Sequence, residues 1–177
     1  MKNRGYTLVE ILVVLGVSAL LSGLLLVYSR QGEKIGEIMR VRAQIVSDIN
    51  RVKNLAITAA TWQGQLTCGY GIYFDVTNNQ YIIFTDVSSN CDISSHLRNQ
   101  AQTQDVEVIK VPQRFTLSNT NVQEVFFMPP QPFVYFDGQA AEKQDEIEEV
   151  EVVFNYLADT EPAFKVYINS IGQTWAY

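Results

Sequence analysis

The chain has 177 residues, a formal net charge of -6, and 47% hydrophobic and 11% aromatic content. Once an apolar N-terminal stretch is set aside, that length suffices for one modest globular domain. The negative balance argues against a surface built to hold nucleic-acid phosphates unless its charges segregate sharply.

Met1 to Gly5 form a short basic leader carrying Lys2 and Arg4, and Gly5 to Tyr28 is an almost uninterrupted apolar run. At about 1.5 Å per residue, a helix of that length crosses a hydrocarbon core of about 30 Å. The leader's cations favour a cytoplasmic N-terminus. Beyond the run, Arg30, Glu33, Lys34 and Glu37 cancel, so everything after Tyr28 is expected outside the cytoplasm. The run is too long for a secretory signal peptide, and Ser18, Ala19, Ser22 and Gly23 lie inside it without forming a cleavage site. One residue interrupts it. Glu10 sits about a turn inside, where a carboxylate is disfavoured and is by default a functional group; the alternative is that it snorkels to the headgroups.

Arg4-Gly5-Tyr6-Thr7-Leu8-Val9-Glu10 followed by a long apolar helix resembles the class III signal of type IV pilins and type II secretion pseudopilins. The resemblance implies that a membrane-bound prepilin peptidase cuts between Gly5 and Tyr6 and methylates the new amine of Tyr6. Tyr6 stands where the family usually has Phe and keeps the aromatic ring, so processing is expected to survive. It also implies that Glu10 pairs with the freed amine of a neighbouring subunit. A buried charge is costly alone and much less so when paired, so this contact would set axial register.

From Arg30 the helical pattern is expected to continue to about Thr61 in a different character. Ile35, Ile38, Val41, Ile45, Ile49, Val52, Ala56 and Ala59 recur at spacings of three and four and form one face, opposite Glu37, Arg40, Asn50, Lys53 and Asn54. Gly64 is the expected stop, and Gly32 and Gly36 are expected weak points. No Pro precedes Pro112, which favours a minor pilin or pseudopilin within the family.

After Gly64 the periodicity changes to strands. Tyr70 to Asp75 and Gln80 to Thr85 form a predicted hairpin around Asn78-Asn79. Val87 to Gln104 reads as a long polar surface loop. Strands are predicted at 106–111, 114–117, 122–128, 133–136, 147–156 and 164–169, with a break at Pro129-Pro130-Gln131-Pro132 and a turn at Asp137-Gly138. A long helix followed only by strands also resembles the H-type and FimT-like minor pseudopilins. That likeness is carried by the helix end Ile45 to Ala56, by Cys68-Gly69 leading into the hairpin, and by Ile171-Gly172-Gln173 in the tail.

Cys68 and Cys91 fall in the part expected outside the cytoplasm, where an even pair favours a disulfide over free thiols or a metal site. Closing that loop contributes about 3 kcal/mol. His96, after Ser94-Ser95, reads as a solvated loop histidine, because adjacency in sequence does not assemble a nucleophile and a base in space. No phosphate loop or catalytic motif accompanies it, and no cofactor is expected. Glu142, Asp145, Glu146, Glu148, Glu149 and Glu151 offer carboxylates either to a calcium site or to a solvated face protecting a strand edge. Strand alternation in Ile147, Val150, Val152 and Phe154 favours the face.

The expected fold is α+β, a lollipop of one long N-terminal helix and a β-rich head. Its parts are a leader (1–5), a transmembrane and filament-core helix (6–28), its amphipathic continuation (29–63) and an extracytoplasmic antiparallel β head (64–177). The expected function is a minor pilin or pseudopilin, a non-enzymatic structural subunit in the inner membrane and then in a periplasmic or surface filament. The partners implied by the resemblance are prepilin peptidase, fellow subunits, an inner-membrane assembly platform and, before assembly, lipid. The alternative is a DNA-binding minor pilin of a DNA-uptake pilus. Basic residues near the C-terminus make that contact in such relatives, whereas this tail has none after Lys165 and places Gln173 where an Arg would help. Trp175 and Tyr177 are instead expected to close a core or meet a partner subunit.

Overall fold

The computed structural model describes residues 7–91, 96–129, 133–140, 149–156, 159 and 161–177. It contains one helix, α1 (Leu8–Ile57), and then strands only. The chain divides into two compact units, Met1–Arg40 and Val41–Tyr177. This is the α+β organisation that the periodicity predicts.

In the first unit α1 opens with a segment that carries apolar side chains all round and, apart from Glu10, no charge up to Leu25. Leu8–Leu25 has a mean hydropathy of 2.4 and none of it is buried, so the segment is long and apolar enough to cross a membrane. The helix continues through Gly32 and Gly36 without interruption. Ile35, placed by spacing on the buried face, is exposed.

In the second unit α1 becomes one-sided. Val41, Ile45, Ile49, Val52 and Ala56 are buried at spacings of three and four, while Asn50, Arg51 and Asn54 face out. Lys53, expected on the polar face, is half-buried because its Nζ donates to the Gly172 carbonyl at 2.9 Å. The helix stops a turn earlier than its periodicity predicts. Ala59 adopts a left-handed conformation (φ 46°), its N–H donates to Ala56 O at 2.9 Å, and the Ala60 N–H donates to Leu55 O at 3.1 Å. These are the two bonds of a Schellman cap, with Ala where Gly is usual. Ala59 therefore leaves the helical face and is exposed, and Gly64 (φ 80°) serves the tight turn that follows.

Ten strands follow: β1 (Gly69–Asp75), β2 (Gln80–Asp86), β3 (Thr103–Lys110), β4 (Phe115–Thr120), β5 (Glu124–Met128), β6 (Phe133–Phe136), β7 (Gln139–Ala140), β8 (Glu149–Tyr156), β9 (Pro162–Asn169) and β10 (Thr174–Ala176). They form a six-stranded sheet in the order β3-β2-β1-β5-β6-β7 and a four-stranded sheet in the order β10-β9-β8-β4. Every strand pair is antiparallel. The predicted hairpin is β1–β2, and the strands predicted at 147–156 and 164–169 correspond to β8 and β9, which pair with each other.

Register sorts the side chains onto faces. In the six-stranded sheet Tyr70, Ile72, Phe74, Tyr81, Ile83, Val125, Phe127, Val134 and Phe136 share one face, and all are buried. α1 reaches this sheet where Tyr81 Oη donates to Asp48 Oδ2 at 2.6 Å, and burial with that carboxylate pushes the phenol well above its ordinary range. It reaches the β9–β10 turn through Lys53. In the four-stranded sheet strict alternation buries Val150, Val152, Phe154, Phe164, Val166 and Ile168, with Phe154 and Phe164 stacked at 4.8 Å.

The opposite face of the six-stranded sheet is apolar too. A row runs across four strands as Phe84, Gly71, Phe126 and Tyr135. Gly71 is required there, since a Cβ would overlap the Phe84 ring. Gly71→Ala should therefore cost about 1–3 kcal/mol by overpacking, read as a lower denaturation midpoint in urea. An unchanged midpoint would show that the row is loosely packed.

Candidate functional site

Two regions carry polar groups in apolar surroundings. The first is the start of α1. Thr7-Leu8-Val9-Glu10 forms a capping box, in which the Thr7 N–H and hydroxyl donate to Glu10 Oε2 at 2.9 and 3.1 Å and the Glu10 N–H donates to Thr7 Oγ1 at 3.3 Å. The box satisfies backbone donors that a helix start leaves unpaired, and it sets the carboxylate at the positive end of the helix dipole. Glu10 thus has a local partner that neither sequence reading included, although the T-x-x-E spacing signals one. Further along, the Ser22 hydroxyl donates to the Ser18 carbonyl at 2.8 Å, which satisfies a polar group inside the apolar segment. Lys2, Arg4, Gly5 and Tyr6 lie outside the described residues.

The second region covers the aromatic row of the six-stranded sheet. His96 is not solvated. It is 2% exposed, its ring lies flat on Phe126 (4.7 Å, 5°) and its edge meets Tyr135 at 4.8 Å. Nδ1 lies 2.9 Å from Oδ2 of Asp86, which is fully buried. In the tautomer protonated at Nδ1, the imidazole donates to this carboxylate oxygen. Asp86 Oδ1 also accepts the Ser88 N–H at 2.9 Å and the Ser88 hydroxyl, and its carbonyl accepts the Cys68 N–H at 2.7 Å. A left-handed backbone at His96 (φ 55°) accompanies this placement.

Two residues later the chain crosses the next row, Ile82, Tyr73 and Glu124. The Arg98 N–H donates to Glu124 Oε2 at 3.1 Å, and its guanidinium lies over the Tyr73 ring at 5.1 Å while binding both oxygens of Asp105 at 2.8 and 2.6 Å. Burial pushes the Glu124 carboxyl above its ordinary range, against the Arg98 N–H that favours its ionised form. This buried acid was not singled out in the sequence. The buried run Val125-Phe126-Phe127 that follows Glu124 in β5, with Val122 buried two residues before it, is the signal that a core strand holds a carboxylate.

Cys68 and Cys91 form a disulfide across a sequence separation of 23, tying the segment after β2 to the residue before β1. Of the acidic run, Glu142, Asp145, Glu146 and Glu148 lie outside the described residues. Glu149 is exposed on β8, and Glu151 accepts from Lys165 Nζ at 2.7 Å, which holds its carboxyl below its ordinary range. Gln173 is engaged in a turn, its N–H donating to Asn169 Oδ1 at 2.8 Å and its side chain accepting from Asn169 at 3.1 Å. The buried His, Asp and Glu therefore fasten a loop to a sheet.

Residues 1–26 match the family described as the prokaryotic N-terminal methylation motif. No curated protein and no solved structure matches the chain. The match covers the leader and most of the apolar segment, and it supports the type IV pilin and pseudopilin family for this chain. It leaves the β-rich unit to be read from its own geometry.

The Glu124 environment has a pH signature. Its folded pKa is raised above the ordinary 4.5, so its contribution is most favourable while the carboxyl is protonated and declines as pH rises through the folded pKa. Glu124→Gln should remove this decline, so that the difference in melting temperature between variant and wild type shifts in the variant's favour from pH 4.5 upward. Parallel melting profiles across that range would refute the assignment.

Proposed function

Starting from a chain that carries a prepilin-type N-terminal methylation motif, we propose that it is a minor pilin or pseudopilin, a structural subunit of a type IV pilus or type II secretion pseudopilus. The observation that carries this reading is the motif at residues 1–26 on a helix whose Leu8–Leu25 segment is wholly unburied and apolar. A family motif of this kind implies a structural, non-enzymatic protein. The absence of Pro before Pro112 favours a minor pilin or pseudopilin, and the H-type or FimT-like subtype rests on the helix-then-strands order, on Ile45 to Ala56 with Cys68-Gly69, and on Ile171-Gly172-Gln173.

In this reading prepilin peptidase meets the leader, with Lys2 and Arg4 at the cytoplasmic side, cleaves between Gly5 and Tyr6 and methylates the Tyr6 amine. The apolar helix holds the subunit in the inner membrane with residues 64–177 outside the cytoplasm. An assembly platform then moves it into a filament, where the helix packs among those of other subunits. Glu10 accepts the Tyr6 amine of a neighbouring subunit. Both Thr7 side-chain and backbone bonds converge on Oε2, so an amine approaching Oε1 leaves the helix cap intact. Pairing removes the cost of a lone charge in low dielectric, and that cost supplies the register.

Two measurements test the reading. The intact mass of protein extracted from membranes should lack residues 1–5 and carry one added methyl group. Glu10→Ala should still insert, yet appear in sheared filaments at a level lower by on the order of tenfold or more, because one partner of a buried pair is missing. An unprocessed N-terminus, or undiminished co-assembly of the variant, would overturn it.

A further inference from the structure

The outer face of the four-stranded sheet carries an aromatic group that helix-mediated assembly does not use. Register places Trp175 beside Tyr167 and Tyr167 beside Glu151, in one line across β10, β9 and β8. The Tyr177 N–H and C=O bond the backbone of Lys165 at 3.0 Å each, which sets Tyr177 in the adjoining line. The alternate residues of β9, Phe164, Val166 and Ile168, are buried, so these side chains point away from the core. The Tyr167 and Trp175 rings are near-parallel (5.9 Å, 14°), and Tyr177, 77% exposed, stands at 65° to Tyr167 at 6.0 Å.

We propose that this face docks a cationic segment, an Arg- or Lys-bearing loop or tail, of a partner protein. Charge complementarity identifies the occupant. Aromatic faces attract cations through the ring quadrupole, and a carboxylate at the ring edge adds to the attraction. Glu151 borders Tyr167 directly and Glu149 lies two residues away on the same strand face; the Tyr167 hydroxyl is held above its ordinary range first by burial and then by the Glu151 charge. The face already holds one cation of its own, Lys165 on Glu151 at 2.7 Å. Both of those side chains are more than a third exposed, so the pair is worth little and an incoming guanidinium displaces it cheaply. A guanidinium also grips a carboxylate with two donors while stacking on a ring, which an ammonium cannot do. Phosphate is the poorer fit, since no basic residue follows Lys165 and the chain's net charge is -6.

The test uses the full chain in uncharged detergent micelles with Trp62→Phe, which leaves Trp175 as the reporter. Acetyl-tetra-arginine-amide should change Trp175 fluorescence saturably and weaken with added salt, and a tetraserine peptide should give no response. Glu151→Gln and Tyr167→Leu should each weaken binding by about fivefold or more. Tyr177→Ala, at an exposed position, should do the same without touching the core. A missing arginine response, an equal response to tetraserine, unchanged binding in all three variants, or tighter binding of oligothymidine than of the arginine peptide would each overturn the proposal, the last in favour of base stacking.

Discussion

A sheet with apolar side chains on both faces has to be covered twice, and much of the β-rich unit follows from that requirement. In β2 every residue from Tyr81 to Asp86 is buried, so neither face of the strand meets water. One face meets α1, through Tyr81 on Asp48 and the buried stripe that runs from Val41 to Ala56. The other has no second sheet or helix among the described residues, and a polar loop takes the task. It does so by lending one aromatic ring, His96, and one guanidinium, Arg98, to two successive rows of the sheet. The disulfide, the buried Asp86 and the buried Glu124 all serve this cover. They hold in place a segment with too little apolar surface to stay down by itself.

This arrangement explains which parts of the fold were legible in the sequence. Periodicity located α1, the β1–β2 hairpin and the β8–β9 pair, because each is stabilised by one face of regularly spaced apolar residues. It misplaced His96, because no local pattern distinguishes a loop that hangs in solvent from one that lies on a sheet. The deciding information sat elsewhere, in the unbroken apolar run Tyr81-Ile82-Ile83-Phe84, which denotes a strand buried on both faces and so demands a cover. The end of α1 was misplaced for another reason. A Schellman cap normally announces itself with Gly, and here Ala59 takes the left-handed conformation. Lys53 looked solvated because its carbonyl partner lies in a turn far along the chain.

The candidate assembly site was legible in a different sense. Its signal is a linear string, so Gly5, Tyr6 and Glu10 could be named without knowledge of the fold. The capping of Glu10 by Thr7 is equally local, since T-x-x-E is a linear signal of a helix start. The aromatic face of the four-stranded sheet needed register. Trp175 and Tyr177 stand near the end of the sequence, while Glu151 lies on another strand, and only pairing brings them into neighbouring lines.

The left-handed backbone at residue 96 narrows which amino acid can stand there. Asn or Asp tolerates that dihedral and offers a polar tip, but neither has a ring to lie on Phe126. Phe and Tyr have the ring, but they adopt the conformation poorly and present no ring N–H to Asp86. Glycine fits the backbone and supplies nothing else. Three separate demands of dihedral, stacking surface and donor position meet in the single histidine of this chain, where Asn, Asp, Phe, Tyr and Gly would each meet only some of them.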